Sequence, residues 1–340
     1  MITDDQQDLY EHHHIVVDRG QTPLRIDKFL QEKLSGVSRN KIQAATHAGC
    51  IVVNGHTAKA NYKVKPLDEI SVLLPEPPHE LDIRPEPIAI DVVYEDNDVI
   101  VVNKPAGLVV HPGVGNFTGT LLNGLLFHMQ GTSSKPFLVH RIDKDTSGLL
   151  LVAKNEEAQV FLAKQFFDHT TERKYLALVW GDFTDNDGTI VGRIGRSPQD
   201  RRVMCVYPDE DDIPDELKRG KHAVTHWHVE ERFGYVSLIS CRLETGRTHQ
   251  IRAHMRHIGH PLFNDSAYGG DVILKGTTFT KYKQFVQNCF QILPRQALHA
   301  TTLGFVHPTT GKTMHFACPL PADIQTCIDR WRTYTANRQN

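Results

Sequence analysis

A segment rich in proline divides the 340-residue chain into two unequal parts. The segment PEPPHELDIRPEP, at residues 75–87, contains five prolines, which lack the backbone N–H that sheets and helix interiors use. It predicts a linker over residues 76–87, a small domain over 15–75 and a larger domain over 88–340. Residues 1–14 are predicted to be a disordered tail, whose HHH run at 12–14 is too short for a metal site.

The charged residues are distributed unevenly along the chain. The net charge is −2, yet residues 76–98 contain eight acidic residues against one arginine, and residues 209–216 contain six acidic residues and no base. Outside these two segments, 37 basic residues face 26 acidic ones. This surplus suits contacts with phosphate groups. The alternative, from charge alone, is that mixed charge merely keeps the protein in solution.

The cysteines and the apolar segments indicate a protein of the cytoplasm. The six cysteines include no C-x-x-C pair, which fits free thiols in a reducing compartment. No apolar stretch approaches the roughly 20 residues that a membrane span needs. The first residues, MITDDQQDLY, are acidic and polar, unlike a signal peptide.

The larger domain alternates short strand-like segments with a few helical ones. Segments such as IDVVYEDNDVIVVNKP, KYLALVWG and YVSLISCRLE have the composition of strands and hairpins, whereas TLLNGLLFHM and EEAQVFLAKQFFDH are helical. Many hairpins with few intervening helices predict the α+β class, with a mixed, largely antiparallel sheet flanked by helices and loops.

The small domain resembles the S4 RNA-binding domain. It carries R-x-D-K-F-L in a predicted helix over 24–34, S-R-N-K-I-Q in a second helix that Ser38 caps and Gly49 ends, and G-C-I-V-V-N-G in a strand that turns at Asn-Gly. Its closing L-D-E-I departs from the usual G-D-x-I. The resemblance implies RNA contacts, for which we predict Arg25, Ser38, Arg39, Lys41, Asn54, Lys59 and Lys63. A structural domain with a solvated basic face is the alternative.

Three segments of the larger domain stand out: HRIDKDTSGLLL at 140–151, ERKYLALVWG at 172–181, and LETGRTHQIRAHMRHIGHPLFNDSAYGG at 243–270. With VNKPAGLVVHP at 102–112, they resemble the motifs of the RluA/RluD family of RNA pseudouridine synthases, in order, over residues 15–320. Ile142 replaces the usual leucine and Asn264 a common glycine, and neither change affects the catalytic assignment. The resemblance implies isomerisation of uridine to pseudouridine in structured RNA, without cofactor, metal or nucleotide.

The chemistry of that reaction needs a carboxylate near the ribose. An N-glycosidic bond breaks and the uracil rejoins through C5, so a carboxylate either attacks C1′ or removes a sugar proton, as carboxylates act around the oxocarbenium-like centre of glycosidases. Asp143 is the candidate, and the sequence leaves open which route it takes. A buried carboxylate tends to protonate unless an arginine lies close by. The resemblance makes Arg247 this partner, so we predict an Asp143–Arg247 ion pair.

The resemblance also implies roles for other residues of the motifs. Tyr175 is expected to stack on the uracil and assist loss of the C5 proton, which places it with Asp143 and Arg247 in the catalytic set. Arg141 is expected to help expel the target base, and Ile251 to form an apolar wall beneath it. His140 and Thr146 complete the predicted substrate-binding set. Taken singly, Asp143 is more typical of a structural ion pair and Tyr175 of strand packing.

Two further interpretations fail on spacing. His249, His254, His257 and His260 invite a metal site, but His249 and His254 are five residues apart and no H-E-x-x-H is present. The H-R-I-D sequence resembles a kinase H-R-D loop, yet Ile142 interrupts it and no D-F-G follows.

The sequence therefore predicts a monomeric cytoplasmic RNA pseudouridine synthase that acts on ribosomal RNA of the large subunit. Three alternatives stay open: a tRNA pseudouridine synthase, a non-catalytic RNA-binding factor of ribosome assembly, and a glycosylase that releases free uracil. A glycosylase would release free uracil, whereas isomerisation conserves the mass of the RNA and leaves the nucleotide in the chain.

Overall fold

The computed structural model describes residues 10–34, 39–47, 49–59, 61–74, 83–113, 116, 118–200, 203–208 and 218–339. The chain forms two compact units, residues 1–82 and 83–340. No helix in these described ranges is long and apolar enough to span a bilayer.

The smaller unit combines two helices with a four-stranded antiparallel sheet. Its elements are the strands β1 (Tyr10–Val16), β2 (Ile51–Val53), β3 (His56–Thr57) and β4 (Glu69–Leu74) and the helices α1 (Ile26–Lys33) and α2 (Arg39–His47). The strand order is β1-β4-β2-β3. Apolar side chains of α1, among them Phe29 and Leu30, pack with Ile51 and Ile70 of the sheet into one core.

Two predictions for this unit have different outcomes. The Asn-Gly hairpin is confirmed: Asn54 and Gly55 have φ of 50° and 79°, the left-handed conformation that a tight two-residue turn needs. The prediction of a disordered tail is wrong for residues 10–14. These residues form most of β1, which pairs with β4. The pattern was missed because histidines occupy three of its seven positions. Residues 1–9, the linker residues 75–82 and the predicted cap Ser38 lie outside the described residues.

The larger unit is built on one sheet. Its strands are β5 (Val92–Glu95), β6 (Val99–Lys104), β7 (Phe137–Leu138), β8 (Ser147–Ala153), β9 (Glu172–Trp180), β10 (Asp187–Arg196), β11 (Met204–Tyr207), β12 (Lys221–Arg232), β13 (Val236–Leu243), β14 (Leu298–Val306) and β15 (Thr313–Ala317). Its helices are α3 (Leu121–His128), α4 (Glu156–Phe167), α5 (Gln250–His257), α6 (Thr280–Ile292) and α7 (Ala322–Gln339), with a 3₁₀ turn at Ser266–Tyr268.

The sheet is mixed and largely antiparallel. Its order is β11-β10-β12-β13-β9-β14-β8-β6-β5, with β15 beside β14 and β7 beside β8. Within the described residues, β14 and β8 run parallel and the other paired strands run antiparallel. The predicted α+β class is confirmed.

Strand β8 is the rigid element behind the signature segment. All seven of its residues are buried. Leu150 and Val152 face the main core, whereas Leu149 and Leu151 pack with Leu162 of α4 on the other side of the sheet. Since successive strand side chains point to opposite faces, the unbroken apolar run of LLLVA reflects a strand covered on both faces.

Gly148 is the one position of β8 that accepts no side chain. Its φ is +115°, and a Cβ there would lie 2.2 Å from the carbonyl oxygen of Ala300 on β14. Gly148→Ala should therefore lower the free energy of unfolding by about 3 kcal/mol or more, through backbone strain and overlap with a neighbouring strand. Urea unfolding followed by tryptophan fluorescence reports on the larger unit alone, because Trp180, Trp227 and Trp331 all belong to it.

The matched control is Gly234→Ala. Gly234 also has a positive φ, +76°, but a Cβ there meets no atom within 4 Å. The control should therefore lose only about 1 kcal/mol of unfolding free energy, the part that comes from backbone strain. Equal losses in the two variants would show that the close approach of β8 and β14 does not constrain residue 148.

Candidate active site

The signature segment, β9 and the segment around α5 converge on one cavity of about 430 Å³. The residues predicted for catalysis and for substrate binding all line it: His140, Arg141, Asp143, Thr146, Tyr175, Arg247 and Ile251. Segments more than 100 residues apart in the chain are thus brought to one place.

Asp143 is held by an arginine of α5. Its Oδ2 accepts a hydrogen bond from Nη1 of Arg252 at 3.0 Å, and its side chain is 23% exposed, whereas that of Arg252 is 8% exposed. Arg252 also binds Asp265 through two hydrogen bonds of 2.7 and 2.9 Å. Burial opposes the charge of Arg252, but the two carboxylates outweigh burial and raise its pKa. The arginine stays charged and fixes the carboxylate.

The predicted Asp143–Arg247 ion pair is wrong. Arg247 lies in the loop before α5, where its Nε donates to the carbonyl oxygen of His222 at 3.0 Å. Its backbone N–H donates to Oε1 of Gln250. Both arginines belong to the segment TGRTHQIRAH, and the start of α5 at Gln250 decides which one reaches Asp143. Arg247 remains in the cavity wall as a positive charge.

His249 is a second neighbour of Asp143 that sequence reasoning missed. Its Nε2 lies 3.8 Å from Oδ2 of Asp143. The hydroxyl of Tyr268 accepts the backbone N–H of Met204 and lies 3.0 Å from Nδ1 of His249. The Tyr268 hydroxyl thus fixes one side of the imidazole and turns Nε2 towards the carboxylate. His249 has a left-handed φ of 53°, a strained conformation typical of functional sites.

Two cations, the buried Lys104 and the half-buried Arg295, bind backbone carbonyl groups of the loop that carries Asp143. Lys104, which is 1% exposed, donates to the carbonyl oxygens of Pro105, Leu108 and Lys144, each at 2.8 Å. Burial lowers the pKa of this amine to about 7, yet three carbonyl acceptors match the three protons of the charged form. Arg295 donates to the carbonyl oxygen of Asp145 at 2.9 Å.

Tyr175 and Ile251 form apolar walls of the cavity. Their exposed fractions are 7% and 3%. Burial raises the pKa of the Tyr175 phenol, partly opposed by the charge of Arg173 and reinforced by that of Asp143. Tyr175 is therefore a neutral phenol near pH 7 and offers a flat surface with one hydroxyl.

Arg141 and Thr146 differ in exposure. Arg141 is exposed and donates from Nη2 to the hydroxyl of Thr248 at 3.0 Å. Thr146 is buried, and its backbone N–H donates to the carbonyl oxygen of Asp143. Thr146 thus shapes the turn, while Arg141 has room to move.

His140 is a neutral histidine in the cavity wall. Its Nε2 accepts the backbone N–H of Leu151 at 2.9 Å, so the proton is on Nδ1, and the ring stacks on Phe166 with centroids 4.5 Å apart. Burial, aided by the positive charge of Arg173, lowers the pKa of His140 to about 3.

This shift predicts acid sensitivity. Because the folded pKa of about 3 lies below the unfolded value of 6.5, the unfolded state binds more protons between them, and the contribution of His140 to stability falls as the pH drops through that window. His140→Gln retains an acceptor for Leu151. It should reduce the slope of unfolding free energy against pH below pH 6 by up to about 1.4 kcal/mol per pH unit.

The comparison needs an exposed histidine as control. His315→Gln, at a side chain that is 63% exposed, should leave the slope of the wild-type protein unchanged. If His140→Gln behaves like this control in urea titrations at pH 4.5 to 6.5, His140 is not held neutral by the fold.

The predicted RNA-contacting residues of the smaller unit have varied surroundings. Arg25 and Arg39, each about two-fifths exposed, pair with the buried Asp27 at 3.2 and 2.9 Å. Although burial opposes it, hydrogen bonds from Gln43 and both arginines lower the pKa of Asp27. The side-chain amide of Asn54 donates to Asp68 and accepts the N–H of Glu69, so it closes the hairpin. Lys59 and Lys63 are exposed, and the side chain of Lys41 lies outside the description.

The cavity favours an anionic ligand. Of the described residues that line it, Asp143 is the one carboxylate, against four arginines, Arg141, Arg173, Arg247 and Arg252. Elsewhere, Asp96, Asp98 and His307 bring possible metal-ligating atoms within 4.8 Å of one another. Asp96 already accepts two backbone N–H groups and binds His307, so this group closes a turn.

Comparison with known proteins identifies the family of the chain. The family model described as RNA pseudouridylate synthase matches residues 98–257, and that of the S4 domain matches residues 24–70. The chain belongs to the RNA pseudouridylate synthase family, and its predicted kinship with the RluA/RluD proteins that carry an S4 domain is confirmed.

Three relatives illustrate the family. A protein of Chlorobaculum parvum named as an uncharacterized RNA pseudouridine synthase is 43% identical, with 95% of this chain and 99% of the relative aligned. The ribosomal large subunit pseudouridine synthase D of Neisseria meningitidis is 44% identical over 88% of this chain and 76% of its own. The solved human RNA pseudouridylate synthase domain containing 1 matches with a TM-score of 0.51 and 26% identity, over 74% of this chain and 97% of that one.

Proposed function

We propose that the protein converts specific uridines of large-subunit ribosomal RNA into pseudouridine, with Asp143 acting on the ribose of the target nucleotide. The observation that carries this proposal is a partly exposed carboxylate that a buried, doubly paired arginine holds in a basic cavity. The polar contacts of this carboxylate within the described residues all fall on Oδ2. Oδ1 is left for a substrate atom.

The cavity walls suit a single nucleotide extruded from its stack. Tyr175 and Ile251 offer apolar surface to the uracil, and the arginines at the wall suit the flanking phosphates. We assign to the exposed Arg141 the role of occupying the space that the base leaves. Unstacking costs a few kcal/mol and less in a loop or bulge, which favours structured RNA with an accessible uridine.

The choice of ribosomal RNA rests on the smaller unit and on the relatives. Proteins named ribosomal large subunit pseudouridine synthase D align with 88% or more of this chain at 40–44% identity. An S4 domain supplies a second RNA-binding surface, which raises affinity for a structured region around the target. We further propose that the protein acts as a monomer in the cytoplasm, which light scattering and cell fractionation would test.

Release of tritium from uracil C5 tests the proposal. Because C5 becomes bonded to the ribose, each isomerisation must release its hydrogen to water. We expect the purified protein to release tritium from labelled large-subunit RNA, and little from small-subunit RNA or tRNA. Release from tRNA alone would move the substrate to tRNA, and free uracil in the supernatant would indicate a glycosylase. Binding to ribosomal RNA without release would favour an assembly factor.

A further inference from the structure

Arg173 is a buried cation without a carboxylate partner. It lies on β9 two residues before Tyr175, on the same face of the strand, and both side chains line the cavity. The residue is 6% exposed. Within the described part of the chain, no carboxylate lies within 4.0 Å of its guanidinium, and its Nε, closed to solvent, has no hydrogen-bond partner. Burial lowers its pKa, opposed in part by Tyr175.

The surroundings of Arg173 hold it in the cavity wall. Its guanidinium lies 5.3 Å from the ring centroid of Phe166. A Cβ at Gly246 would lie 2.8 Å from its Nη1, so the glycine leaves the space that this side chain occupies. Arg252, the other buried arginine of the cavity, has two carboxylates instead. Arg252 thus orients carboxylates of the protein, whereas Arg173 has no described carboxylate to orient.

A second unpartnered donor lies beside Arg173. Nδ1 of His140 carries the ring proton, is closed to solvent and has no hydrogen-bond partner. His140 and Arg173 pack on the same ring, that of Phe166. A buried charge without a carboxylate partner is unfavourable in the free protein. Because Arg173 lines the cavity, a ligand bound there can supply the missing acceptor.

The reaction generates such an acceptor. When the N1–C1′ bond breaks, its electron pair leaves with the uracil, whether Asp143 attacks C1′ or removes a sugar proton. The negative charge spreads over N1 and the carbonyl oxygens O2 and O4. The anion must survive until C5 bonds to C1′, after which C5 loses its proton and N1 gains one, so that atoms and charge balance.

We propose that Arg173 is a further catalytic residue, whose guanidinium donates hydrogen bonds to the carbonyl oxygens of the departing uracil and stabilises its anion. This inference rests on the proposed function. Donors fixed where charge develops stabilise a transition state more than a ground state, because they need no reorganisation. The guanidinium beside Tyr175 also limits where the uracil can turn.

The test is Arg173→Gln, assayed by tritium release at saturating RNA. We expect kcat to fall by about 10²–10³-fold, as for loss of an oxyanion-stabilising donor, with little change in KM. Because the charge has no carboxylate partner among the described residues, its removal should lower the unfolding free energy by no more than about 1 kcal/mol, the part due to the contact with Phe166. Arg173→Lys keeps the charge but not the forked donors, so its kcat should lie between those of the wild type and Arg173→Gln. Lys174→Gln removes a charge from an exposed side chain paired with Glu230 and is the control.

RNA containing 5-fluorouridine separates catalysis from a structural role. The fluorine withdraws charge from the ring and stabilises the same anion. The fold-decrease in the cleavage rate that Arg173→Gln causes should therefore be at least about tenfold smaller with this substrate than with uridine. Consumption of 5-fluorouridine in single-turnover reactions is read by nuclease digestion and mass spectrometry. Equal defects with both substrates would overturn the inference, as would an unchanged kcat. A wild-type protein inactive on every RNA would instead contradict the proposed function.

Discussion

Asp143→Asn is expected to abolish the release of tritium from C5 of RNA uracil. The amide has the shape of the carboxylate but neither attacks C1′ nor accepts a sugar proton, so the rate should fall by about 10⁴-fold or more, the scale at which loss of a catalytic nucleophile acts. RNA affinity should change by no more than about threefold, because phosphate contacts dominate it. Tritium release and filter binding on the same RNA measure the two effects.

The matched control is Asp145→Asn, the same chemical change two residues along the same loop. The side chain of Asp145 does not line the cavity, and its carbonyl oxygen, which Arg295 binds, is unaffected by the substitution. It should retain the wild-type rate within about threefold, the scatter expected of a non-contacting substitution. Comparable losses in both variants would mean that the loop, and not the carboxylate at 143, is what the reaction needs.

The second large effect is expected from Arg252→Gln. The substitution leaves Asp265, whose side chain is 1% exposed, as a buried charge without its partner, and frees Asp143. Removing one member of a buried ion pair costs about 3–5 kcal/mol, so we expect a loss of that size in urea unfolding followed by tryptophan fluorescence. Activity should fall as well, because the carboxylate at 143 is no longer held.

Two companion variants separate stability from activity. Arg252→Gln combined with Asp265→Asn removes the uncompensated charge and should recover much of the stability but not the activity. Arg247→Gln, which removes a cation that binds a backbone carbonyl, should change stability by no more than about 1 kcal/mol. If Arg247→Gln were the more damaging to stability, the pairing of Asp143 with Arg252 would be contradicted.

The site was largely predictable because its residues belong to ordered motifs. The sequence placed Asp143, Tyr175 and Ile251 in one site, and the structure brings them to one cavity. The ion-pair partner was not predictable, since Arg247 and Arg252 stand in one ten-residue segment and only the first residue of α5 distinguishes them.

Arg173 and His249 were missed for a different reason. The roles proposed for them depend on what surrounds them: a carboxylate lies 3.8 Å from His249, and no described carboxylate lies near Arg173. Spacing along the chain carries no such information. Strand β1 was missed because three consecutive histidines hide its alternation. The fold class needed only the succession of hairpins and the few helices between them.

The place of β14 in the sheet has a consequence for biosynthesis. This strand, Leu298–Val306, lies between β8 and β9, the strands that adjoin Asp143 and carry Tyr175. A nascent chain that has left the ribosome only as far as α6 thus holds every reacting group but lacks the strand that spaces them. We therefore expect a polypeptide that ends before β14 to be inactive, although Asp143 and Tyr175 are already present in it.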